Sequence, residues 1–300
     1  MEKIRKIDVH AHVSLHAEYE FPKVFNVSVS DQLALWDALN VEKGVLLPIA
    51  SIEGEITVIP NGDNCYLSRA YPDRFYWFCN VDPRAWHNSP DTDLGELMRF
   101  YKANGAKGIG EVTANLYMDD PMVENMFRYA AELDLPVTIH IAPEKGGYYG
   151  LVDDIGLPRL DRMLSKYPKL KVLGHSQPFW AEISRDVTEE NRNSYPEGKV
   201  LEGALPKLLR KHQNLYCDLS AGSGMNALMR DPEYGYRFIE EFGDRLMYGI
   251  DLCLPSNPHP PVFASFLDES HEKGFISDEN YYRICRGNAI RILGLSDLKE

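Results

Sequence analysis

The sequence contains no stretch of about 18 unbroken apolar residues, the length a membrane-crossing helix needs. Its opening run, Met-Glu-Lys-Ile-Arg-Lys-Ile-Asp-Val-His, passes from basic residues straight into a strand-like segment, with no apolar signal core. A soluble, unprocessed protein is therefore expected. Cysteine is scarce and scattered: Cys65, Cys79, Cys217, Cys253 and Cys285 are odd in number and include no Cys-x-x-Cys pair. This argues against a disulfide framework and a thiolate zinc site, and a reducing cytoplasmic setting fits best. Basic residues are outnumbered, 32 Lys and Arg against 45 Asp and Glu, giving a formal net charge of −13. Such a chain repels a phosphate backbone, so small-molecule substrates are expected, with no nucleic-acid or membrane partner. No Gly-x-Ser-x-Gly elbow is present, and Ala221-Gly222-Ser223-Gly224 lacks the lysine of a P-loop and the three glycines of a dinucleotide fingerprint. A turn after the seventh strand accounts for that stretch. Cys253 has no base partner in the sequence, which disfavours a cysteine nucleophile.

What the sequence does have is 44% hydrophobic residues over 300 positions, enough for one large core, and a single domain spanning residues 1–300 is expected. Runs rich in β-branched and aromatic residues alternate with helical periodicity from end to end. Strands are expected over Ile4–His12, Gly44–Ala50, Phe75–Val81, Ala106–Val112, Val137–Ala142, Lys171–Ser176, Leu215–Leu219 and Arg245–Leu252. Helices are expected near Asp31–Asn40, Asn64–Tyr71, Leu94–Ala103, Met122–Leu133, Leu157–Lys166, Leu201–Lys211, Tyr234–Phe242 and Asp278–Leu293, with Ser30 and Asp31 capping the first. Strands joined by crossover helices pair in parallel, and eight of them close a (β/α)8 TIM barrel. A doubly wound open sheet is the alternative. The long connections 14–30 and 177–199 would be insertions at the C-terminal mouth, where such barrels build their pockets.

The chemistry begins at Asp8-Val9-His10-Ala11-His12. Residues two apart on a strand project from one face, so both imidazoles can enter the barrel while Val9 and Ala11 turn toward the helices. Two imidazoles on one rigid strand make half of a zinc site. Asp8 is expected to support this strand from the layer below. Other metal-competent residues recur near the ends of later strands: Glu111 in Gly-Ile-Gly-Glu, His140 in Val-Thr-Ile-His, His175 in Val-Leu-Gly-His and Asp251 in Tyr-Gly-Ile-Asp. Catalytic groups of these barrels gather at that rim, and a charge in an apolar strand is costly unless paired or bound to metal.

This ordered set resembles the amidohydrolase superfamily, and in particular the amidohydrolase-2 branch that includes aminocarboxymuconate-semialdehyde decarboxylase. The resemblance spans nearly the whole chain through IDVHAH, LPVTIHI, YPKLKVLGHS, NLYCDLS, FGDRLMYGIDL and GNAIRILGL. It implies that His10, His12, His140 and Asp251 hold one divalent metal, while His175 faces the substrate as an acid/base or polarising group. It also implies a homo-oligomer. Glu111 resembles, in addition, the fourth-strand glutamate of TatD-like deoxyribonucleases; a binuclear centre with Glu111 and His175 as ligands is thus the alternative, though the acidic chain weighs against a nuclease. With one metal, Glu111 is either a carboxylate that faces the substrate or the acceptor that a ligating histidine needs on its other nitrogen.

Zinc is the expected ion, with manganese as the alternative. The expected reaction is hydrolysis of a C–N or C–O bond in a small molecule, with or without a carboxylate, by metal-activated water. Asp251 would shuttle the proton and His175 would stabilise the oxyanion. Rival readings are a non-oxidative decarboxylase or hydratase of the same fold, and a metal-binding barrel without catalysis. Arg84, beside Trp86 in Asp-Pro-Arg-Ala-Trp-His, is the candidate clamp for an acidic substrate, and Lys145 has a lesser claim. His87 and His259 fall in mouth loops and are candidate substrate contacts. His212 and His271, with charged neighbours, are expected in solvent.

Overall fold

Strand residues buried on both faces are the mark of a parallel sheet covered by helices, and the strands here are buried throughout almost their entire length. The computed structural model describes residues 4–19, 27–53 and 58–298. Its strands are β1 (Lys6–Ala11), β2 (Val41–Leu46), β3 (Phe75–Trp77), β4 (Ile109–Val112), β5 (Val137–Ala142), β6 (Leu151–Val152), β7 (Val172–His175), β8 (Leu215–Asp218) and β9 (Leu246–Met247). Two parallel arcs, β1-β2-β3 and β4-β5-β7-β8-β9, form the wall, and the two-residue β6 pairs with the end of β5.

Backbone hydrogen bonds join the arcs at both seams. Cys79 donates to the Gly108 carbonyl at 2.9 Å and accepts from Gly110 at 2.9 Å, linking the end of β3 to β4. Val9 donates to Tyr248 at 3.1 Å and Asp251 donates to His10 at 2.9 Å, linking β9 back to β1. The result is the expected TIM barrel, closed by the eight strands other than β6. Ile7, Val9, Val45, Leu173, Tyr216 and Met247 fill its interior from around the ring, and Ile290 and Leu293 of α12 (Asn288–Leu293) pack against them. Asn288 ties α12 down by donating to the Gly243 and Leu246 carbonyls. A larger apolar layer lies between strands and helices.

β1 departs from simple alternation. A register shift between Asp8 and Ala11 turns Val9 into the interior cluster, while Ala11 packs under the helices. Such a bulge re-aims the side chains around it. Asp8 faces α1 (Val29–Ala38), where its Oδ2 accepts from the Trp36 indole, while its Oδ1 accepts from the His10 and Ile250 amides; it supports the histidine-bearing strand as expected, but from the helix side and not from the layer below.

The eight expected helices are present as α1, α2 (Asn61–Ala70), α3 (Leu94–Ala103, the expected bounds), α4 (Pro121–Glu132), α5 (Pro158–Lys166), α7 (Ala204–Lys211), α9 (Pro232–Phe242) and, for the last, α11 (Asp278–Tyr282) continued through a π-helical turn, Arg283–Gly287, into α12. α1 is capped by Ser28, whose hydroxyl accepts from the Asp31 amide in a capping box; Ser30 lies inside the helix. Three helices appear where loops or turns were expected: α6 (Gln177–Ala181), α8 (Ala221–Met229) and α10 (His259–Glu272). The glycine-rich stretch is therefore the first turn of α8 and not a free turn. The connection 14–30 is described only in part, since residues 20–26 lie outside the described set. No helix among the described residues is long and apolar enough to cross a membrane.

Candidate metal centre

Five strand ends converge on one buried cluster. β1 supplies His10 and, just past its end, His12; β4 supplies Glu111, β5 His140, β7 His175 and β8 Asp218. Asp251 follows β9 with a left-handed backbone (φ 53°) and reaches the same point. All seven side chains are buried.

The hydrogen bonds decide which atoms remain open. His10 donates from Nδ1 to Asp218 Oδ2 at 2.6 Å, and His12 donates from Nδ1 to the Leu47 carbonyl at 2.9 Å. Each ring thus turns Nε2 inward, and the two Nε2 atoms stand 3.0 Å apart. Two nitrogen lone pairs at that distance repel unless a cation lies between or beside them. Carboxylate oxygens ring the same point: Asp251 Oδ1 is 3.7 Å from both nitrogens, and Glu111 Oε2 is 3.3 Å from His12 Nε2 and 3.6 Å from His10 Nε2. His140 donates from Nδ1 to Glu111 Oε1 at 2.8 Å, leaving Nε2 as its bare nitrogen. Imidazole and carboxylate donors, buried and with their outer nitrogens already bonded, fit a divalent cation. The ligating atoms of His10, His12 and Glu111 all lie within 4.8 Å of one another, as do those of Glu111, His140 and His175.

The electrostatics agree. Burial works to raise the pKa of Glu111 and Asp251, yet the surrounding histidines outweigh it and hold both carboxyls well below their ordinary range. Burial likewise works against the charged form of His10, but Asp251, Asp218 and Glu111 reverse this and raise its pKa. His140 goes the other way, because burial exceeds the pull of Glu111. The cluster draws in positive charge at its centre.

Above it lies a cavity of about 460 Å³ with His140, His175 and Asp251 among its lining residues. Tyr149, whose ring sits 4.4 Å from that of His140, helps form the wall, as do Gln177, Tyr195, Met225 and Asn226. His259, the first residue of α10, lines the cavity as expected and lies 3.0 Å by Nε2 from the Ile250 carbonyl. Arg84, Trp86 and His87 do not line it. Arg84 is bound by Asp82 and by Glu53, so its charge is already neutralised and it is no clamp for a substrate. Trp86 is 56% exposed and stacks on His87 at 5.2 Å. Lys145 sits 5.3 Å over the Tyr117 ring. His212 is buried against Asp161 at 2.5 Å, and His271 stacks on Tyr281 at 4.2 Å; neither is the solvated side chain expected.

Sequence reasoning missed Asp218 and Ser220. The signal was present in Leu-Tyr-Cys-Asp-Leu-Ser, where a carboxylate ends an expected strand at the active rim. Ser220 Oγ lies 3.2 Å from His10 Nδ1 and 3.0 Å from His175 Nδ1, between the two rings.

Comparison with known proteins agrees with this architecture. The sequence pattern of one family, described as amidohydrolase, matches residues 7–295. No curated protein matches the sequence. Among solved structures, the fold is similar to that of 2,6-dihydroxybenzoate decarboxylase from Rhizobium (TM-score 0.60, 16% identity, covering 97% of this chain and 99% of that one). It is also similar to 5-carboxyvanillate decarboxylase from Sphingomonas paucimobilis (TM-score 0.61, 18% identity, 97% and 99%). A third likeness is to a probable 2-pyrone-4,6-dicarboxylic acid hydrolase from Acinetobacter baumannii (TM-score 0.60, 16% identity, 97% and 100%).

Proposed function

The chain belongs to the amidohydrolase family, and from that premise we propose a metal-dependent hydrolase that cleaves a C–N or C–O bond of a small molecule, using one zinc ion. The observation that carries this reading is the divided orientation of Asp251. Its Oδ1 faces His10 and His12 at 3.7 Å, while its Oδ2 faces His175 Nε2 at 3.5 Å on the lining of the cavity. This division supports a reading in which one oxygen serves an ion and the other a proton.

His10, His12 and Asp251 would hold the ion, with His140 through its bare Nε2; Glu111 keeps His140 oriented and adds negative charge. Zinc suits two or three imidazoles with a carboxylate, and manganese is the alternative. When bound, such an ion supplies a Lewis acid that polarises a substrate oxygen and acidifies water. The chain's own groups do the rest. Asp251 Oδ2 takes a proton from the attacking water and passes it to the leaving group. His175 directs Nε2 toward the oxygen on which charge develops. Tyr149, Tyr195 and Met225 offer flat or apolar contact, while Gln177 and Asn226 offer hydrogen bonds.

Decarboxylation is the second reading, and a specific observation favours it: among the described residues no Lys or Arg lines the cavity. A substrate carboxylate would then meet no salt bridge that must break as CO₂ leaves. A screen of lactones, amides and aromatic acids, run with and without added zinc or manganese, separates the two. Metal-dependent release of acid, amine or alcohol supports hydrolysis; metal-dependent release of CO₂ replaces it with the second reading. Turnover insensitive to metal and chelator overturns both.

A further inference from the structure

We infer that Ser220 is a positioning residue that holds His175 in the tautomer with its proton on Nε2, so that His175 serves the cavity as a donor and not as a ligand of an ion. The catalytic meaning of this inference rests on the function proposed above; the tautomer itself does not.

The argument is a count of hydrogens. A ring nitrogen carries one hydrogen or one lone pair, never both roles at once. The Nδ1 hydrogen of His10 is committed to Asp218 at 2.6 Å. That nitrogen cannot accept, so the Ser220 hydroxyl, 3.2 Å away, cannot donate to it. The remaining partner within reach is His175 Nδ1 at 3.0 Å. Donation there makes His175 Nδ1 the bare nitrogen and puts the hydrogen on Nε2. The other end of the ring provides an independent check. His175 Nε2 faces Asp251 Oδ2 at 3.5 Å and Glu111 Oε1 at 4.0 Å, both of them acceptors. At the opposite end Asp218 Oδ2 stands 3.8 Å from Nδ1, farther than the Ser220 hydroxyl and beyond hydrogen-bond reach, so two carboxylates at Nε2 against one at Nδ1 favour the N–H on Nε2.

The serine is held in place for this task. It is buried, its amide donates to Asp218 Oδ1 at 3.0 Å, and it precedes the first residue of α8. Gly249 leaves room for both groups, since a Cβ there would stand 2.5 Å from Asp218 Oδ1 and 2.8 Å from Ser220 Cβ. Asp218 and Ser220 thus act as a pair on two rings: the carboxylate fixes His10 with Nε2 bare, and the hydroxyl fixes His175 with Nε2 protonated. Two neighbouring imidazoles receive opposite tautomers, one for an ion and one for the substrate. A second ion held by His175 Nε2 has no lone pair to use.

The test is the ¹H–¹⁵N spectrum of histidine-labelled, zinc-loaded protein, with the His175 signals assigned by their loss in His175→Gln. The expected result is hydrogen on Nε2 in the unsubstituted protein and in Ser220→Thr, and loss of that fixed tautomer in Ser220→Ala. In steady-state kinetics Ser220→Ala should lower kcat by about 10-fold to 100-fold, the range seen when groups supporting a metal site are removed. KM and zinc content should stay close to normal, and Ser220→Thr should restore most of kcat. A bare Nε2 on His175 in the unsubstituted protein overturns the inference, as does a Ser220→Ala protein with an unchanged tautomer and kcat. Should Ser220→Ala not fold, the unsubstituted spectrum still decides. A protein that binds no zinc but shows Nε2 protonated would refute the proposed function and leave the tautomer assignment standing.

Discussion

His10 Nδ1 and Asp218 Oδ2 lie 2.6 Å apart with both residues fully buried, a charge-assisted hydrogen bond between the first strand and the strand two places round the barrel. Because Asp218 fixes which nitrogen of His10 faces inward, its contribution to ion binding is indirect and separable from that of the ligands. Asp218→Asn retains an acceptor but not the charge. Zinc affinity, measured by competition with a chromophoric chelator, should fall about 10-fold to 100-fold with the far-ultraviolet circular dichroism unchanged. Unaltered affinity would show that the His10 orientation does not depend on the carboxylate.

Asp251 combines the two roles that the mechanism needs, so its amide should separate them. Asp251→Asn is expected to retain part of the bound metal while kcat falls by at least about 100-fold, the lower range for loss of a general acid or base. Metal content and kcat measured on the same preparation make the comparison. Full activity would remove Asp251 from the chemistry.

Gly174 precedes His175 on β7, and a Cβ there would stand 2.2 Å from ring atoms of Phe179 on α6. Gly174→Ala must displace that ring, which is fully buried. A loss of about 1–3 kcal/mol in urea unfolding is expected, the usual range for overpacking. No loss would mean that α6 is free to shift.

Glu182 carries a pH dependence that can be read apart from the metal centre. It is buried, accepts from the Gly156 amide at 2.8 Å, and burial raises its carboxyl from 4.5 to about 7, against the lowering effect of that bond and of Arg192. A carboxyl with a raised folded-state pKa binds its proton more tightly folded than unfolded. Its contribution is therefore full below about pH 4.5, declines as pH rises toward 7, and is absent above. Glu182→Gln keeps the acceptor without the charge. It should unfold at a higher temperature than the unsubstituted protein at pH 8, by up to about 3 kcal/mol in stability, and match it near pH 4.5. A difference that is constant with pH would contradict the assignment.

How far the sequence revealed these features depends on whether the signal was local. His10 and His12 could be placed together because two residues on one strand share a face, and His140, His175, Glu111 and Asp251 because each ends or nearly ends an apolar run. The barrel itself was legible from eight alternations of pattern. Val9 was misjudged because a bulge in β1 has no signature in Asp-Val-His-Ala-His. Arg84 was misjudged because its partners Asp82 and Glu53 become visible only in three dimensions. His212 was assigned to solvent from its charged neighbours, although Asp161, 51 positions away, draws it inward. α8 was hidden by its glycines, and α10 by prolines at positions 260 and 261 that suit a first helical turn yet read as a break. Ser220 carried no signal of its own, since a serine acquires its role from the two imidazoles it touches.

The account stands on His10, His12 and Asp251 holding one divalent ion, and elemental analysis of purified protein tests that most directly. About one equivalent of zinc or manganese is expected in the unsubstituted chain, and close to none in His12→Asn, whose loss removes one of the two inward nitrogens standing 3.0 Å apart. A His12→Asn protein that keeps its full metal content, or an active unsubstituted protein with no bound metal, would contradict it.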